Sequence, residues 1–390
     1  MKIVQFGLHY SPNVGDGIIA ECLAHGLRAA APGVEVRTVD ISGRDGFGAV
    51  TVRNRGAVLK VLAALPRPLR LALIRRRLGA LLDRVVPDWT QALDGADLAV
   101  IGGGQILSDA DLNFPLKLSR VAGVLAQSGT PAAIHAAGVS RNWSPEGAAL
   151  FADLFDTDLR AVGLRDAPSR DAWIAQTGGR GPAPHLTRDP GLLAAACYGP
   201  VPEGARLGLG VAAPEILGYH AERGVAGGGA PDFFAALATA LAEHAPVTLF
   251  TNGAAEDRAA LARLLQHPDL AAPLASGRID RAPDPDTPAD LAATIAPLRG
   301  VVAHRLHALI VAYAYGRVPF GLGWDAKVES FCRSVDLDHA FAGADAGTPG
   351  DIAAAAVAAL AAGIDPARHR AVLDETQASL AALLTHAAGA

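Results

Sequence analysis

The sequence predicts an α/β protein with two doubly wound domains, each a parallel sheet covered by helices. Its 390 residues exceed one ordinary core and suit two domains of roughly 150–200 residues. Short apolar strands alternate with helical segments, as in parallel sheets buried on both faces. This alternation stops in a proline- and glycine-rich stretch at 198–208 and then restarts. We therefore expect Rossmann-like domains at 1–198 and 206–345, C-terminal helices at 350–390, and a ligand cleft between the domains.

Apolar runs and helical spacing predict the individual elements. In the first half, strands are expected at 2–6, 34–39, 97–101, 131–136 and 159–163, and helices at 18–30, 115–126 and 171–176. In the second half, strands are expected at 207–212, 247–251, 300–303 and 320–322, and helices at 232–243, 256–265, 290–296 and 305–315. Gly316 and Pro319 end the last of these helices. Residues 9–17 and the proline- and aspartate-rich stretch at 268–288 are predicted loops.

The composition excludes several classes of protein. Hydrophobic residues make up 51% of the chain and charged residues 19%, which is too apolar for an intrinsically disordered protein. The 34 basic and 39 acidic side chains give a net charge of −5, and aromatic residues are only 5%. Because neither bulk charge nor a stacking surface favours nucleic acid, we expect no nucleic-acid partner.

Cysteines and apolar runs bear on the compartment. Cys22, Cys197 and Cys332 are far apart and form no paired motif, so we expect three buried thiols rather than disulfides or a thiolate zinc site. The first residues are typical of a strand and not of a signal peptide. No run of about 18 apolar residues indicates a membrane span, and we expect a cytoplasmic protein.

A basic segment interrupts the first half. The segment from Arg53 to Arg84 contains nine basic residues but only one acidic residue, Asp83, and apolar residues recur in it at helical spacing. We predict a helical insert over 53–87, formed by two amphipathic helices that break at Pro66-Arg67-Pro68. Two interpretations remain open: a helical cap whose charges face water, or a surface that touches the anionic inner face of the plasma membrane.

The strongest chemical signal is His304-Arg305-Leu306-His307, where a predicted strand ends and a helix begins. Backbone N–H groups at a helix N-terminus carry partial positive charge, and Arg305 adds a two-pronged donor for a carboxylate or phosphate. The spacing places His304 and His307 on one helix face, which suits an anionic ligand beside a proton donor. Buried structural histidines are the alternative. A metal pair would need a third ligand and lacks the usual i, i+4 spacing, so we expect no metal.

Further candidate residues follow other predicted strands. Loops at the carboxyl ends of parallel strands line ligand crevices, and the candidates there are Asn13, Gly15, Asp16, Gly103, Gly104, Arg165 and Lys327. The first of these loops matches neither a GxGxxG nor a Walker pattern, so nucleotide binding is not indicated. Each loop also has a structural interpretation, namely a helix cap, close glycine packing, an Arg–Asp ion pair or a solvated lysine.

These motifs, taken in order, resemble the polysaccharide pyruvyl transferase family. The matching pieces, together with Asp109, are Asn13-Val14-Gly15-Asp16, Ile101-Gly102-Gly103-Gly104, Leu164-Arg165-Asp166-Ala167-Pro168-Ser169, Asp189-Pro190, Arg305-Leu306-His307-Ala308 and Trp324-Asp325-Ala326-Lys327-Val328. Phe250-Thr251-Asn252-Gly253 with Glu256-Asp257 resembles a subset of the family, whereas the stretches 53–84 and 273–288 match no part of it. The resemblance covers residues 1–340 and implies a GT-B-like fold of two Rossmann-like domains.

The resemblance also implies a reaction. Members of this family move the enolpyruvyl unit of phosphoenolpyruvate onto two hydroxyls of a saccharide and form a cyclic ketal, in exopolysaccharide or cell-surface glycan biosynthesis. The implied donor site is Arg305, Leu306 and His307 with Arg165. His307 is the candidate general acid and base, and Asp16 is expected to orient or deprotonate the acceptor hydroxyl. His304 joins the other candidates as a substrate-binding residue. No cofactor beyond the phosphoenolpyruvate donor is expected.

Three other functions fit the same sequence. A nucleotide-sugar-dependent GT-B glycosyltransferase would share two such domains and an anion site, but would bind a nucleoside diphosphate. A non-catalytic glycan-binding protein of the same fold would keep Arg305 and His307 for structural reasons. Within the enzyme class, the acceptor could be a small metabolite, and the basic insert would favour a lipid-linked saccharide if it touches membrane.

Overall fold

The computed structural model describes residues 1–48, 65–109, 111–214, 231–324 and 326–387. The first predicted helix of the basic insert, with Arg53, Arg55 and Lys60, lies outside these residues, as does Asp325.

The chain forms two compact units. The first comprises Met1–Ser11, Ile19–Pro190 and Thr376–Ala390, and the second comprises Pro12–Ile18 and Gly191–Glu375. Each unit therefore draws on chain segments that are remote in sequence. The short segment Pro12–Ile18, which carries three candidate site residues, packs as part of the second unit.

Each unit is built around one six-stranded parallel sheet. The first sheet contains β1 (Lys2–Gly7), β2 (Glu35–Asp40), β3 (Leu98–Gly102), β4 (Ala132–Ala137), β5 (Leu159–Leu164) and β6 (Pro184–Leu186), in the order β2-β1-β3-β4-β5-β6. The second contains β7 (Leu207–Gly210), β8 (Val247–Phe250), β9 (Ile279–Arg281), β10 (Gly300–Ala303), β11 (Val318–Leu322) and β12 (Phe341–Ala342), in the order β12-β11-β10-β7-β8-β9. The prediction of two doubly wound, Rossmann-like halves is confirmed.

Helices connect the strands, as parallel pairing requires. In chain order they are α1 (Val14–Ala30), α2 (Arg67–Leu93), α3 (Asn113–Ser128), α4 (Pro145–Ala152), α5 (Ala167–Thr177), α6 (Ala194–Tyr198), α7 (Pro231–His244), α8 (Ala255–Leu264), α9 (Ala271–Ala275), α10 (Pro288–Ile295), α11 (Leu306–Ala314), α12 (Ala326–Ser334), α13 (Pro349–Ala362) and α14 (Pro366–Ala387). Among the described residues, no single helix is long and apolar enough to cross a membrane; α13 and the part of α14 up to Thr385 pass that test only together, as a pair bent by 89°.

The sheets are buried because their strands are apolar on both faces. The central strands β1, β3 and β10 are almost completely enclosed, and fully burying one large apolar side chain contributes about 1.5–3 kcal/mol. In the first unit, Phe6 of β1 meets the ring of Trp89 from α2 edge-on, with 6.1 Å between ring centroids. Through Trp89 and Leu82, helix α2 packs against the sheet, and its opposite face carries exposed arginines.

Three boundary predictions are corrected. Helix α1 begins at Val14 and not at residue 18, so Gly15 and Asp16 are helical rather than part of a loop. The stretch at 268–288 is not all loop, because it contains α9 and strand β9. Strands β6, β9 and β12 have only two or three residues, too few for a periodic apolar signal.

The predictions for the basic helix and for the cysteines are confirmed only in part. Helix α2 does begin after Pro66, as predicted for the second basic helix, but it is one 27-residue helix that contains Pro87 and ends at Leu93. Cys22 and Cys332 are buried, whereas Cys197 is only half-buried, so the expectation of three buried thiols is wrong for Cys197. Burial raises the pKa of the Cys332 thiol to about 12, which leaves this thiol neutral and unreactive.

Candidate functional site

The main candidate site lies in the second unit, at the carboxyl end of β10. This strand ends at Ala303, and α11 begins at Leu306 with Arg305 as its N-cap in extended conformation. Leu306 and His307 therefore occupy the first turn, where backbone N–H groups have no partner within the helix. The predicted strand-to-helix transition is confirmed, and it places Arg305 and His307 at the end of the sheet where ligands bind in such folds.

Arg305 is held by a carboxylate. Its Nε donates to Asp257 Oδ2 at 3.0 Å and its Nη2 donates to Asp257 Oδ1 at 2.9 Å. Asp257 lies in the first turn of α8 and is fully buried. We expected two nitrogens of the guanidinium to bind a ligand, but Nε and Nη2 already donate to Asp257. Nη1 is the guanidinium nitrogen that takes no part in this pair.

His307 contacts the segment Pro12–Ile18. Its Nδ1 lies 3.5 Å from Asp16 Oδ1, and Asn13 Nδ2 lies 3.5 Å from the same oxygen. Both distances are long for hydrogen bonds but short enough for electrostatic attraction. Asp16 was expected to act on an acceptor hydroxyl, and the structure places its carboxylate beside the imidazole of His307.

Gly15 makes this approach of the two segments feasible. A Cβ atom built on Gly15 would lie 2.7 Å from His307 Cβ and 3.0 Å from His307 Nδ1. Separations below 3.0 Å are not tolerated between such atoms. The absence of a side chain at Gly15 therefore lets the first turn of α1 rest directly on the catalytic candidate. The main chain is fixed nearby by a hydrogen bond from Val14 N to Asn252 O of 3.0 Å.

The prediction for His304 is corrected. His304 lies before the helix begins and so cannot share a helix face with His307. It is 0% exposed and its ring packs edge-on against Phe233 and Phe234, with centroid separations of 6.4 and 5.6 Å. The three-residue spacing was misleading because Arg305, which separates His304 from the helix, is in extended conformation. His304 belongs to the core of the second unit, in line with the structural alternative.

Leu306 and Lys327 flank the same region. Leu306 is buried, so it packs rather than presents a polar group. Lys327 lies in the first turn of α12, and its Nζ lies 5.0 Å from the ring centroid of Trp324, a cation–π geometry. Trp324 in turn donates from Nε1 to the carbonyl oxygen of His304 at 2.7 Å. Lys327 is thus held near the end of β10 and is not the fully solvated lysine of the structural alternative.

A second group of candidates lies in the first unit. Arg165 follows β5, donates from Nη2 to Gln105 Oε1 at 3.0 Å and from Nε to Asp166 Oδ2 at 3.4 Å. Burial of Asp166 favours its neutral form, but the charge of Arg165 and hydrogen bonds from Ser169 outweigh that effect and lower the pKa of Asp166. An ionised Asp166 both caps α5 and fixes Arg165. The structure thus contains the Arg–Asp pair with helix cap that the sequence offered as an alternative to anion binding.

Two glycine loops surround Arg165. Gly138 has no room for a side chain, because a Cβ there would collide with Gln105 Oε1 and approach Arg165 Nη2 to 2.7 Å. Gly103 and Gly104 both have positive φ, and Gly103 packs against the side chain of Ile19. Asp109 is buried and accepts hydrogen bonds from the backbone N–H groups of Leu112 and Ser144. The glycines thus allow close packing at these positions, and the hydrogen bonds to Asp109 stabilise the turns beside them.

The comparisons with known proteins decide the family. The model of the polysaccharide pyruvyl transferase family matches residues 13–326, which is well over half of the chain. The chain belongs to the polysaccharide pyruvyl transferase family. It is accordingly a transferase, and the resemblance on which the sequence analysis relied is confirmed. No curated protein is significantly similar to it in sequence.

Solved structures similar to this pyruvyl transferase family member support the fold alone. The UDP-GlcNAc 2-epimerase from Methanocaldococcus jannaschii is 10% identical, with a TM-score of 0.56 over 99% of this chain and 100% of the epimerase. The S. aureus MnaA–UDP co-structure is 11% identical, with a TM-score of 0.52 over 96% of this chain and 90% of that one. At such low identity these similarities describe a shared architecture of two Rossmann-like domains.

Two residues that were not predicted as site residues anchor the arginines of this pyruvyl transferase, namely Asp257 for Arg305 and Gln105 for Arg165. Asp257 belongs to a motif of the family resemblance, and Gln105 directly follows the three glycines 102–104. The available signal was their position, because each follows a strand at the carboxyl end of its sheet. Within the described ranges, no group of three or more His, Cys, Asp or Glu side chains could hold a metal ion.

Replacement of Gly15 by alanine tests whether the contact with His307 matters. We expect Gly15→Ala to lower kcat/KM about 10- to 100-fold, because the added methyl group displaces the imidazole by a large fraction of an ångström. Gly123→Ala is the matched control, since Gly123 is also helical but has open space around it. Equal activity of the two variants would contradict the expected displacement.

Proposed function

We propose that the chain transfers the enolpyruvyl group of phosphoenolpyruvate onto two hydroxyls of a saccharide acceptor, as part of exopolysaccharide or cell-surface glycan biosynthesis. The observation that carries the proposal is the grouping of Arg305, His307 and Asp16 at one strand end in a member of this family. A guanidinium, a helix N-terminus and an imidazole supply the charge and the proton that this reaction needs.

The donor is a compact anion with a carboxylate and a phosphate on three carbons. Arg305 contributes N–H groups from Nη1, and the first turn of α11 contributes backbone N–H groups to an anionic oxygen. Lys327 adds a positive charge from α12, and Arg165 is proposed as the second arginine. Such fixed donors favour the developing charges of the transition state without reorganisation.

His307 is proposed to move the protons. The imidazolium gives its Nε2 proton to the methylene carbon of phosphoenolpyruvate, which leaves C2 electrophilic. One acceptor hydroxyl then attacks C2 and passes its proton to the neutral imidazole. The C2–O bond to the phosphate group then breaks, the second hydroxyl bonds to C2 to close the ketal, and its proton goes to the departing inorganic phosphate. Asp16 favours the imidazolium and holds the Nδ1 side of the ring, which is a positioning role.

Phosphate release across a panel of saccharides tests this function. We expect the purified protein to release inorganic phosphate from phosphoenolpyruvate only when a suitable diol-containing saccharide is present, with one phosphate per ketal formed. Thermal shift should respond to phosphoenolpyruvate and not to UDP or ADP. Stabilisation by a nucleoside diphosphate without phosphate release would favour a glycosyltransferase, and no response to either ligand would favour a glycan-binding protein.

A peripheral membrane contact is part of the proposal, because it bears on the acceptor. Helix α2 exposes Arg76, Arg77 and Arg84, and Leu69 on the same helix is 60% exposed. Exposed arginines beside an apolar side chain favour the surface of an anionic bilayer. The acceptor would then be a lipid-linked saccharide at the cytoplasmic face of the plasma membrane.

Vesicle binding tests the membrane contact. Replacing Arg76, Arg77 and Arg84 with glutamine should weaken binding to vesicles of anionic phospholipid about 100-fold, because each arginine near such a surface contributes about 1 kcal/mol. Neutral phosphatidylcholine vesicles should bind neither protein.

A triple variant of equal charge change controls for net charge. Arg263, Arg281 and Arg333 are exposed arginines of the second unit, and their replacement by glutamine should leave vesicle binding within about twofold of the wild type. Equal losses in both triple variants would assign any binding to overall charge and not to α2.

A further inference from the structure

Asp257 is a fully buried carboxylate that accepts three hydrogen bonds. Its Oδ1 accepts hydrogen bonds from Arg305 Nη2 at 2.9 Å and from the backbone N–H of Ala213 at 2.8 Å, and its Oδ2 accepts from Arg305 Nε at 3.0 Å. Asp257 is 0% exposed, and the Arg305 side chain is 13% exposed. A carboxylate without access to water is tolerated only when its oxygens are bonded to such donors.

The bonds to Asp257 join three neighbouring strand ends of the second sheet. Ala213 follows β7, Asp257 follows β8 in the first turn of α8, and Arg305 follows β10. These strands are adjacent in the order β10-β7-β8. Because the carboxyl ends of parallel strands form the ligand-binding edge, Asp257 lies beneath that edge and connects its segments.

The pair fixes the orientation of the guanidinium. An arginine side chain has four rotatable bonds, and ordering it on a ligand costs entropy. Two parallel hydrogen bonds to one carboxylate define the plane of the guanidinium group. Nε and one N–H of Nη2 are engaged by Asp257, and Nη1 makes no hydrogen bond to any residue the structure describes. The edge of the guanidinium formed by Nη1 and the second N–H of Nη2 therefore points away from Asp257, in a direction that the pair fixes.

We propose that Asp257 is a positioning residue that holds Arg305 in its anion-binding orientation and so sets the affinity for the anionic donor. The proposal rests on the proposed function, in which Arg305 contacts phosphoenolpyruvate. Asp257 itself touches neither the donor nor the acceptor. It acts by removing the entropy that Arg305 would otherwise lose on binding.

This role has a consequence that simple charge attraction does not share. Asp257→Asn removes one negative charge beside the site, so an electrostatic account predicts tighter binding of phosphoenolpyruvate. The positioning account predicts weaker binding, because an asparagine presents an NH2 group to one of the two guanidinium nitrogens. The direction of the change in Kd therefore separates the two accounts.

The primary measurement is the Kd for phosphoenolpyruvate by titration calorimetry, with kcat/KM for phosphate release measured alongside. We expect Asp257→Asn to weaken binding about 10- to 100-fold, because the Arg305 side chain must then be ordered when the anion binds. Asp286→Asn is the matched control, because Asp286 accepts a hydrogen bond from Arg258, the next residue of α8, at 3.0 Å. Its Kd should stay within about twofold of the wild type.

A double-mutant cycle tests whether Asp257 acts through Arg305. On the Arg305→Ala background, Asp257→Asn should cause no further loss of kcat/KM, because the group that it positions is gone. Circular dichroism and Tm report whether each variant is folded. If Asp257→Asn fails to fold, Asp257→Glu keeps the charge but moves the carboxylate by one methylene, and it should raise the Kd in the same direction.

The outcomes separate this proposal from the proposed function. An unchanged or tighter Kd in folded Asp257→Asn, or additive losses in the cycle, would overturn the positioning role alone. A wild-type protein that binds phosphoenolpyruvate with the expected Kd pattern but transfers no pyruvyl group to any saccharide would overturn the function and support the positioning role. A wild-type protein that does not bind phosphoenolpyruvate would overturn both.

Discussion

Replacement of His307 by alanine is expected to lower kcat/KM for phosphate release from phosphoenolpyruvate by a factor on the order of 10² or more. The proposed reaction needs a proton at the methylene carbon before C2 can accept a hydroxyl, and the methyl side chain of alanine cannot deliver it. His307 lies in the first turn of α11, where its loss removes no backbone hydrogen bond. Its side chain is only 11% exposed, so the replacement also removes buried contacts, and Tm is measured for the variant. We expect a folded variant that still binds the donor.

The control for this experiment is another histidine of the second unit beside carboxylates. His267 Nε2 lies 3.2 Å from Asp232 Oδ1, and its Nδ1 lies 3.7 Å from Asp269 Oδ2. His267→Ala removes a comparable His–Asp pair away from α11, so its kcat/KM should equal that of the wild type. A folded His307→Ala variant with normal turnover would eliminate His307 as the proton donor.

Arg305→Ala is expected to have two large effects at once. Turnover should fall by a factor on the order of 10² or more, because a fixed donor to the anionic substrate is lost. The protein should also become less stable by about 3–5 kcal/mol, because Asp257 would remain as a buried carboxylate without its ion-pair partner. Loss of activity in this variant must therefore be read together with its Tm.

Arg305→Lys separates the two effects. Lysine keeps the positive charge for Asp257 but donates from a single nitrogen, so it cannot bond both oxygens and also present a further donor in a fixed direction. We expect this variant to unfold nearer to the wild-type Tm and still to lose about tenfold in kcat/KM.

Arg317→Lys is the matched control for that variant. Arg317 is also buried, and its guanidinium bonds Glu203, the carbonyl of Val201 and the carbonyl of Ala296. Its replacement should lower Tm and leave kcat/KM unchanged. Normal activity of folded Arg305→Lys and Arg305→Ala together would place Arg305 in the structure and not in the site.

The sequence was most informative where the hydrophobic pattern is strong and where proline and glycine residues mark the ends of elements. The apolar runs in β1 and β3 predict buried parallel strands, and the restart of the strand–helix pattern after residue 198 separates the two sheets. The short strands β6, β9 and β12 could not be predicted, because two or three residues carry no period. Helix α1 begins before Gly15, although the low helix propensity of glycine disfavours a helix there. Packing of this turn against His307 outweighs that preference.

The site was predictable in its residue types but not in its pairings. Arg305 and His307 follow from a strand that ends in a helix N-terminus. That Arg305 holds Asp257, 48 residues earlier, depends on β8 and β10 flanking β7, which is an order that local sequence does not encode. For His304 the local pattern was misleading. Its three-residue spacing from His307 would place both side chains on one helix face, but the helix begins only after His304.

The assignment of Pro12–Ile18 to the second unit has a practical implication for dissecting this enzyme. The polypeptide passes from one unit to the other after residues 11, 18, 190 and 375, so neither unit corresponds to one uninterrupted stretch of gene. A fragment that starts at Gly191 would lack Asp16 and the first turn of α1. In such a fragment, His307 would therefore lack its contact with Asp16. Restoring activity from two separately expressed fragments would require a split at a surface loop and not near the middle of the chain.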